Sequence, residues 1–202
     1  MKLVYLSIVI NKDTPLYPGD ALPKFEPTGD LKNYGFQDTY VSFNNHIGTH
    51  IDAPIHMFSD GKNLDQIPLE QFTGRGVYVK VENKKFDLEK VKQTDIREGD
   101  IVFFHTGMSD GLFEPDYYKS YPQIPEEIAN YLVEKKVKMM GVDMGGVDHD
   151  FSIHRILLKQ NILIIENLTN LAELEEKEFK IYAFPLKFEL DASPVRVVAE
   201  IL

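Results

Sequence analysis

Three histidines and one aspartate lie within the eleven residues of the segment HIGTHIDAPIH, which runs from His46 to His56. The whole chain has only six histidines, so half of them fall in this one segment. Imidazole and carboxylate groups bind divalent transition-metal ions, and imidazole also exchanges protons near neutral pH. The segment therefore indicates a metal site, a proton-transfer site, or both.

This segment is predicted to be extended rather than helical. Gly48, the β-branched residues on either side of it and Pro54 all disfavour an α-helix. Side chains of an extended chain alternate with a period of two. That period places on one side His46, His50, Asp52 and His56. A straight strand would separate the Cα atoms of His46 and His50 by about 13 Å, so the chain must bend, and Gly48 is where a bend costs least.

The types of ligand narrow the choice of metal. The chain has no cysteine, which excludes disulfides and thiolate metal sites. Neutral imidazoles with one carboxylate suit Zn²⁺, Mn²⁺ or Fe²⁺ better than Mg²⁺ or Ca²⁺, which prefer oxygen ligands. The alternative is that the histidines only cap turns or form hydrogen bonds within a loop. Four ligand-type residues with a common parity favour metal binding over that alternative.

The segment HIGTHIDAPIH resembles the HxGTHxDxPxH signature of the cyclase-like metal-dependent hydrolases, the family that includes bacterial kynurenine formamidase and isatin hydrolase. Further segments follow in the family's order, namely PLYPGD, HMFSDGKNLDQIPLEQFTG, FFHTG, GVDMGGVD, IIENLTNL and SPVRVVA. The resemblance therefore extends over nearly the whole chain. It implies an α/β fold of the swivelling β/β/α type, a single domain over residues 1–202, and a homodimer or higher homo-oligomer.

The resemblance also implies a role for individual residues. His46, His50 and Asp52 match metal ligands of the family, and His56 matches its catalytic proton carrier. His154 and Glu166 match the residues that complete a second metal site in the formamidases, with Asp52 as a bridge between the two ions.

Two of these assignments have alternatives in the residues themselves. Glu166 follows the apolar run Ile162–Ile165, and a carboxylate at the end of a buried strand needs a cation or strong hydrogen-bond donors. The residues alone are equally consistent with His154 capping a helix and Glu166 accepting backbone hydrogen bonds. Spacing alone also allows His56 to be a further metal ligand.

Tyr17 is the candidate substrate-binding residue. It lies in PLYPGD, where the formamidases resemble PxWPGD, and this chain contains no tryptophan. An aromatic ring at this position predicts stacking against a flat substrate. A core position between Pro15 and Pro18 is an equal alternative, and the changed ring weakens the assignment of N-formylkynurenine as the substrate.

The predicted activity is hydrolysis of a C–N bond in a small aromatic amide or cyclic amide, by metal-activated water with His56 as acid and base. Two ions of Zn²⁺ or Mn²⁺ are expected per chain. One alternative is an authentic kynurenine formamidase. A second alternative, from a different class, is a metal-binding or ligand-binding module without turnover.

Three other residues are expected to have smaller roles. His105 is as consistent with a structural histidine as with a residue near the active centre, and His149, next to Asp148 and Asp150, is expected to be solvated or paired. Asp143 would either orient a ligand histidine or make a turn at the end of a strand.

Composition excludes several classes of protein. The chain has 202 residues and a formal net charge of −10, which argues for one well-filled core and against binding to a phosphate backbone. No segment has the eighteen or so apolar residues of a membrane span. We expect a cytoplasmic enzyme with a small-molecule substrate and no nucleic-acid or membrane partner.

The elements that must position these residues are predicted from hydrophobic patterns. Short β-branched runs predict strands at Leu3–Ile10, Gly76–Val81, Asp100–His105, Lys138–Val142, Ile162–Ile165, Phe179–Phe184 and Val195–Ile201. Helical spacing predicts a helix at Pro125–Lys135 and shorter ones at Glu70–Phe72, Leu88–Lys92 and Leu168–Leu174. This pattern indicates an α/β protein of irregular topology. No P-loop or GxGxxG motif follows a strand, so a nucleotide cofactor is not expected.

Overall fold

The computed structural model describes every residue from Met1 to Leu202. Its strands are β1 (Lys2–Tyr5), β2 (Lys24–Gly29), β3 (Asp38–Ser42), β4 (His50–Asp52), β5 (Thr73–Lys80), β6 (Ile101–His105), β7 (Met139–Val142), β8 (Leu163–Glu166), β9 (Phe179–Tyr182), β10 (Ala192–Pro194) and β11 (Val198–Ile201). Its α-helices are α1 (Leu31–Tyr34), α2 (Leu88–Gln93), α3 (Glu126–Glu134) and α4 (Ser152–Leu158). Short 3₁₀ helices lie at Pro54–His56, Leu64–Gln66, Leu69–Phe72, Glu82–Lys84, Met108–Gly111 and Leu171–Leu174.

Nine strands form one mixed sheet in the order β1-β11-β9-β5-β6-β7-β8-β4-β10. The four central strands β5 to β8 run parallel, whereas the strands on both sides pair antiparallel. Parallel strands are covered on both faces and therefore read as continuous apolar runs, as in the IVFF sequence of β6. β4 and β10 lie together at one end of the sheet.

Two hydrophobic cores cover the two faces of this sheet. Because side chains alternate along a strand, Val102 and Phe104 of β6 belong to the core that includes α3 and α4. Their neighbours Ile101 and Phe103 belong to the core on the other face. No helix of the fold is both long enough and apolar enough to cross a membrane.

The α/β class predicted from the sequence is confirmed, and each of the seven predicted strand regions overlaps an observed strand. The predicted strand at Leu3–Ile10 is shorter than expected, because β1 ends at Tyr5. The helices predicted at Pro125–Lys135 and Leu88–Lys92 are α3 and α2. The regions Glu70–Phe72 and Leu168–Leu174, which were predicted as short helices, contain 3₁₀ helices at Leu69–Phe72 and Leu171–Leu174.

Residues 22–43, called the arm below, lie outside the main sheet. Within the arm β2 and β3 form a separate two-stranded antiparallel sheet, joined by α1. The structural elements of the arm were not predicted from the sequence, nor were α4 and β10.

Candidate active site

A pocket of about 290 Å³ opens at the β8-β4-β10 end of the sheet. Every candidate site residue from the sequence lines this pocket, namely Tyr17, His46, His50, Asp52, His56, His154 and Glu166. The structure therefore brings together side chains that are up to 149 positions apart in the chain, as counted from Tyr17 to Glu166.

Strand pairing places the acidic groups next to β4. In the β4–β8 ladder His50 lies opposite Glu166, and in the β10–β4 ladder Ala192 lies opposite Asp52. Asp191 precedes β10, and its carbonyl accepts a hydrogen bond of 2.8 Å from the backbone N–H of Ala53. Both neighbouring strands therefore bring a carboxylate to the histidine-bearing segment.

The chain bends ahead of β4, as predicted. Gly48 has φ = 64°, in the left-handed region that favours glycine. A Cβ atom at this position would also lie 2.9 Å from a side-chain carbon of Ile10. The bend brings the ring centroids of His46 and His50 to 5.0 Å from each other. The extended stretch is shorter than predicted, since only His50–Asp52 form a strand and His56 ends a 3₁₀ helix.

The side chains of His50, Asp52, His154 and Glu166 form what we call the inner cluster. Asp52 Oδ1 lies 3.7 Å from His50 Nε2, and Asp52 Oδ2 lies 3.7 Å from His154 Nε2. Glu166 Oε2 lies 3.5 Å from His50 Nε2, and Glu166 Oε1 lies 3.4 Å from His154 Nε2. Each of the two carboxylates thus faces the same two histidine nitrogens.

The oxygens of these carboxylates lack hydrogen-bond donors. Both carboxylate oxygens of Asp52 and Oε1 of Glu166 are buried and accept no hydrogen bond. Asp52 Oδ1 is 3.1 Å from His46 Nδ1, but the two groups are not aligned for a hydrogen bond. A buried ionised carboxylate needs a cation or donors to balance its loss of hydration. These orphan oxygens fit a divalent metal ion.

Three sets of ligand atoms are close enough to share an ion, with all ligand atoms of a set within 4.8 Å of one another. The first consists of His46, His50 and Asp52, and the second consists of Asp52, His154 and Glu166. The third consists of His46, His56 and Asp191. Asp52 belongs to the first two sets, the position from which it would bridge two ions, as the family resemblance implies.

Hydrogen bonds fix the orientation of two rings in the inner cluster. His50 Nδ1 lies 2.8 Å from the carbonyl oxygen of Gly48, and His154 Nδ1 lies 2.9 Å from Asp148 Oδ1. A carbonyl oxygen only accepts, so His50 Nδ1 carries a proton, and the Asp148 carboxylate accepts from His154 Nδ1 in the same way. The other nitrogen of each ring, Nε2, faces the carboxylates and would bind a metal ion once it has no proton.

The electrostatic field of the pocket favours positive charge. Burial works against protonation of His46, but the negative charge of Asp52 and a hydrogen bond to Asp191 raise its pKa to about 10. Burial likewise opposes protonation of His154, yet Asp148 and Glu166 raise its pKa to about 10. The same pairing holds the pKa of Glu166 below its usual range despite the burial of this carboxylate. The same negative groups would attract a cation that enters the pocket.

A second group of side chains, which we call the outer pair, consists of His56 and Asp191. Asp191 Oδ2 accepts a hydrogen bond of 2.9 Å from His56 Nδ1 and another of 3.0 Å from His46 Nε2. Its Oδ1 accepts a bond of 2.6 Å from the amide of Asn45. The hydrogen bonds from His46 and His56 lower the pKa of Asp191. His56 Nε2 takes no part in these contacts.

Asp191, which is hydrogen-bonded to two histidines of the site, is the carboxylate that sequence reasoning missed. Its only signal is its place two residues before the SPVRVVA segment, which itself contains no ligand-type side chain. Asp148, which accepts a hydrogen bond from His154, ends the family segment GVDMGGVD but was given no role of its own there. Asp191 belongs to no recognisable spacing pattern.

The three residues with smaller expected roles lie as follows. His105 does not line the pocket, and its Nδ1 shares a hydrogen bond of 2.7 Å with the hydroxyl of Tyr78. Asp143 accepts hydrogen bonds from the backbone N–H groups of Thr106 and Gly107, so it holds the loop that follows β6 and makes no hydrogen bond to a candidate ligand histidine. His149 stacks on a tyrosine ring at 4.3 Å and lines the pocket wall.

Aromatic rings also line the pocket. Tyr17 contacts Tyr118 edge to face, with ring centroids 5.8 Å apart, and Tyr121, His149 and Phe151 continue the wall. Tyr17 is 53% exposed, which does not fit the alternative of a core aromatic. The pocket therefore combines potential metal-ligating side chains with aromatic rings.

A buried histidine–carboxylate cluster below an aromatic wall is the kind of site found in metal-dependent hydrolytic enzymes. The chain matches the family model Cyclase, described as "Putative cyclase", over residues 4–149. The chain belongs to this family. It is 29% identical over 199 residues to kynurenine formamidase from Bacillus mycoides, with 96% of this chain and 94% of the relative covered. It is also 33% identical to an uncharacterised protein of Methanocaldococcus jannaschii, with 91% of each chain covered.

Solved structures show the same fold. Isatin hydrolase A from Labrenzia aggregata, bound to benzyl benzoate, superposes with a TM-score of 0.88 at 26% identity, covering 98% of this chain and 93% of that one. A protein from Bacillus stearothermophilus, described as a "predicted metal-dependent hydrolase", superposes with a TM-score of 0.81 at 29% identity, covering 98% of this chain and 97% of that one. These similarities confirm the predicted family, the predicted fold class and the prediction of a hydrolytic enzyme.

Proposed function

We propose that the protein is a metal-dependent hydrolase that cleaves the C–N bond of a small aromatic amide or cyclic amide. The observation that carries this proposal is the inner cluster, in which buried carboxylate oxygens of Asp52 and Glu166 face histidine nitrogens and accept no hydrogen bond. The relatives named kynurenine formamidase and isatin hydrolase support amide and cyclic amide substrates.

Two divalent ions, Zn²⁺ or Mn²⁺, would be held by this chain. His46, His50 and Asp52 would hold one ion, and Asp52 with His154 and Glu166 would hold the other. Three histidines without cysteine suit these metals. Such ions, when bound, lower the pKa of water towards 7 and polarise a carbonyl group.

His56 is the proposed acid and base. Since Asp191 accepts the hydrogen bond from Nδ1, the proton leaves and returns through Nε2. Asp191 would hold the ring in this tautomer and stabilise the imidazolium that forms when His56 takes the proton of the attacking water. The same proton would then pass to the leaving nitrogen. Asp191 is thus a positioning residue in this proposal.

The alternative role for His56 is that of a third metal ligand. His46, His56 and Asp191 do bring three potential ligand atoms within 4.8 Å of one another. However, Asp191 already accepts hydrogen bonds at both carboxylate oxygens and is about one-third exposed, so it needs no cation. The orphan oxygens occur only in the inner cluster and at one oxygen of Asp65, outside the pocket. This contrast favours proton transfer at His56.

The size and wall of the pocket support a small, flat substrate. A volume of about 290 Å³ lies at the lower end of the range of roughly 300–1,000 Å³ usual for ligand pockets. Tyr17, Tyr118 and Tyr121 offer ring surfaces against which an aromatic amide would pack.

Kynurenine formamidase activity itself is the second candidate, since the relatives of that name align over 96% of this chain. Tyr17 at the position of the formamidase tryptophan argues for a different ring or substituent. A binding module without turnover would have no use for a histidine oriented for proton transfer, so the outer pair argues against that alternative. A homodimeric assembly and a cytoplasmic location stay predictions from the sequence.

The test is a substrate panel with metal-loaded protein. N-formylkynurenine, other aryl formamides and isatin should include at least one compound that is hydrolysed, with activity lost on chelation and restored by Zn²⁺ or Mn²⁺. If metal is bound but none of the panel is hydrolysed, the binding module becomes the better account. Preference for N-formylkynurenine over every other compound would establish the formamidase.

A further inference from the structure

A buried asparagine, Asn167, lines the active-site pocket directly after Glu166 at the end of β8. Its side-chain Nδ2 donates a hydrogen bond of 3.2 Å to the carbonyl oxygen of Gly48. The same carbonyl oxygen accepts the hydrogen bond of 2.8 Å from His50 Nδ1. A carbonyl oxygen has two lone pairs and can accept from both donors at once. Asn167 thus shares a hydrogen-bond acceptor with the histidine that faces both carboxylates of the inner cluster.

A second hydrogen bond joins the same two segments in the opposite direction. The hydroxyl of Thr49 donates to the backbone carbonyl oxygen of Asn167 at 2.5 Å, and it accepts from the backbone N–H of Ile8 at 2.9 Å. Asn167 is therefore tied to the Gly48–Thr49 backbone by two reciprocal hydrogen bonds. Together they hold the bend at Gly48, and this bend sets the direction of the carbonyl group that contacts the His50 ring.

The amide of Asn167 is itself held by a buried tyrosine. The hydroxyl of Tyr117 donates a hydrogen bond of 2.9 Å to Asn167 Oδ1. A donor at Oδ1 leaves the NH₂ group of the amide on the side of the Gly48 carbonyl, which only accepts. Tyr117, Asn167, Gly48 and His50 therefore form one continuous hydrogen-bonded chain, and all four residues are buried.

Backbone conformation offers a different reason for an asparagine at this position. Asn167 has φ = 56°, in the left-handed region that asparagine tolerates better than most residues. Glycine would meet that requirement, but it has no amide to donate to the Gly48 carbonyl. Asn170 has φ = 57° and donates its amide to the carbonyl oxygen of Tyr5 at 2.9 Å, but it lies outside the pocket. Glycine substitutions at the two asparagines therefore separate the two reasons.

We propose that Asn167 is a positioning residue that holds His50, through the Gly48 carbonyl, in the orientation that binds a metal ion. The inference rests on the proposed metal centre and assigns the effect of Asn167 to one ion, that of the first ligand set, which contains His50. Groups hydrogen-bonded behind a ligand histidine typically change metal affinity by about 10–100-fold. A purely local disturbance at Asn167 would instead affect the second ligand set, because Asn167 directly follows Glu166 in the chain.

The test measures Mn²⁺ affinity by calorimetry in a Glu166→Gln background, where only the first ligand set is expected to bind strongly. Asn167→Gly in that background should raise the dissociation constant of the remaining ion by about 10–100-fold. Asn170→Gly in the same background is the matched control and should leave the dissociation constant unchanged. Thermal melting of the metal-free proteins shows whether each variant is folded.

A second variant leaves Asn167 in place and decides the question if Asn167→Gly does not fold. Tyr117→Phe keeps the ring and removes the hydroxyl that holds the amide, so it should weaken the same ion by a smaller factor. Either variant binding Mn²⁺ as tightly as the Glu166→Gln background overturns this inference. A parent chain that binds no Mn²⁺ overturns the proposed function and this inference together. Bound metal without hydrolysis of the substrate panel contradicts the proposed function alone, because this test measures affinity.

Discussion

The inner cluster and the outer pair are neighbours, because His56 lines the same pocket and Asp191 is hydrogen-bonded to it, yet they differ in burial and in hydrogen bonding. Asp52 and Glu166 are buried and keep oxygens without donors. Asp191 is about one-third exposed and accepts hydrogen bonds at both oxygens, and the His56 side chain is 22% exposed. The two groups contain the same residue types but present different chemistry.

This difference suits the inner cluster to binding a cation and the outer pair to transferring a proton. Burying a carboxylate that has no hydrogen-bond donors costs desolvation free energy unless a cation is bound, so the negative charge of the inner cluster is not compensated by the protein alone. In the outer pair the charge of the carboxylate is already compensated by its hydrogen-bond donors. The partial exposure of the histidine lets it exchange protons with substrate and solvent. Histidines within one short segment thus acquire separate roles from the acids that tertiary structure places beside them.

Removal of His50 should have the largest effect, because this ring faces both carboxylates of the inner cluster. His50→Ala should lose its bound metal and all activity above background. Elemental analysis and a hydrolysis assay would measure both. His105→Ala, which removes a histidine outside the pocket, is the matched control and should keep both. Equal metal content in His50→Ala and the parent would disprove the metal assignment.

Glu166→Gln should have a narrower effect on the same cluster. The substitution keeps the shape of the side chain and removes a charge from the Asp52–His154–Glu166 set, so one ion should be weakened more than the other. Metal titration by calorimetry should resolve two classes of site in the parent and one strong class in the variant. A single class of site that the substitution does not change would favour a mononuclear centre.

His56→Ala should separate catalysis from metal binding. We expect near-parent metal content with kcat lower by about 10²–10⁴-fold, the usual contribution of a positioned acid or base. Metal analysis of the same preparation that is assayed makes the comparison direct. Loss of an ion in proportion to the loss of activity would show that His56 is a ligand.

Asp191→Asn should have the smallest effect, a fall in kcat of about 10–100-fold with KM nearly unchanged. If Asp191 acts through His56, the double variant with His56→Ala should be no slower than His56→Ala alone. Multiplicative losses in the double variant would instead mean that Asp191 contributes independently, for example through His46.

The sequence predicted those parts of the site that are local. His46, His50, Asp52 and His56 fall within eleven residues, and the bend at Gly48 follows from their spacing. His154 and Glu166 depended on the family resemblance, because only the pairing of β4 with β8 and the packing of α4 bring them to the pocket. From the residues alone they had an equal structural alternative.

The parts that were missed lack a periodic signal. β10, which follows Asp191, has only three residues, too few to show alternation. α4 begins after Phe151, which has φ = 62° and provides no cap, and its first backbone N–H groups donate instead to Asp148 and Asp150. The usual start signal is therefore absent from the N-cap position. β2 contains Pro27 and an irregular register before Gly29, which conceal the alternation that its pairing with β3 reveals.

The most direct test of the division between inner cluster and outer pair is an anomalous-scattering map from crystals of metal-loaded protein. The account predicts ions among His46, His50, Asp52, His154 and Glu166, with His56 Nδ1 still hydrogen-bonded to Asp191. An ion held jointly by His46, His56 and Asp191, with the oxygens of Asp52 and Glu166 left without a cation, would contradict it.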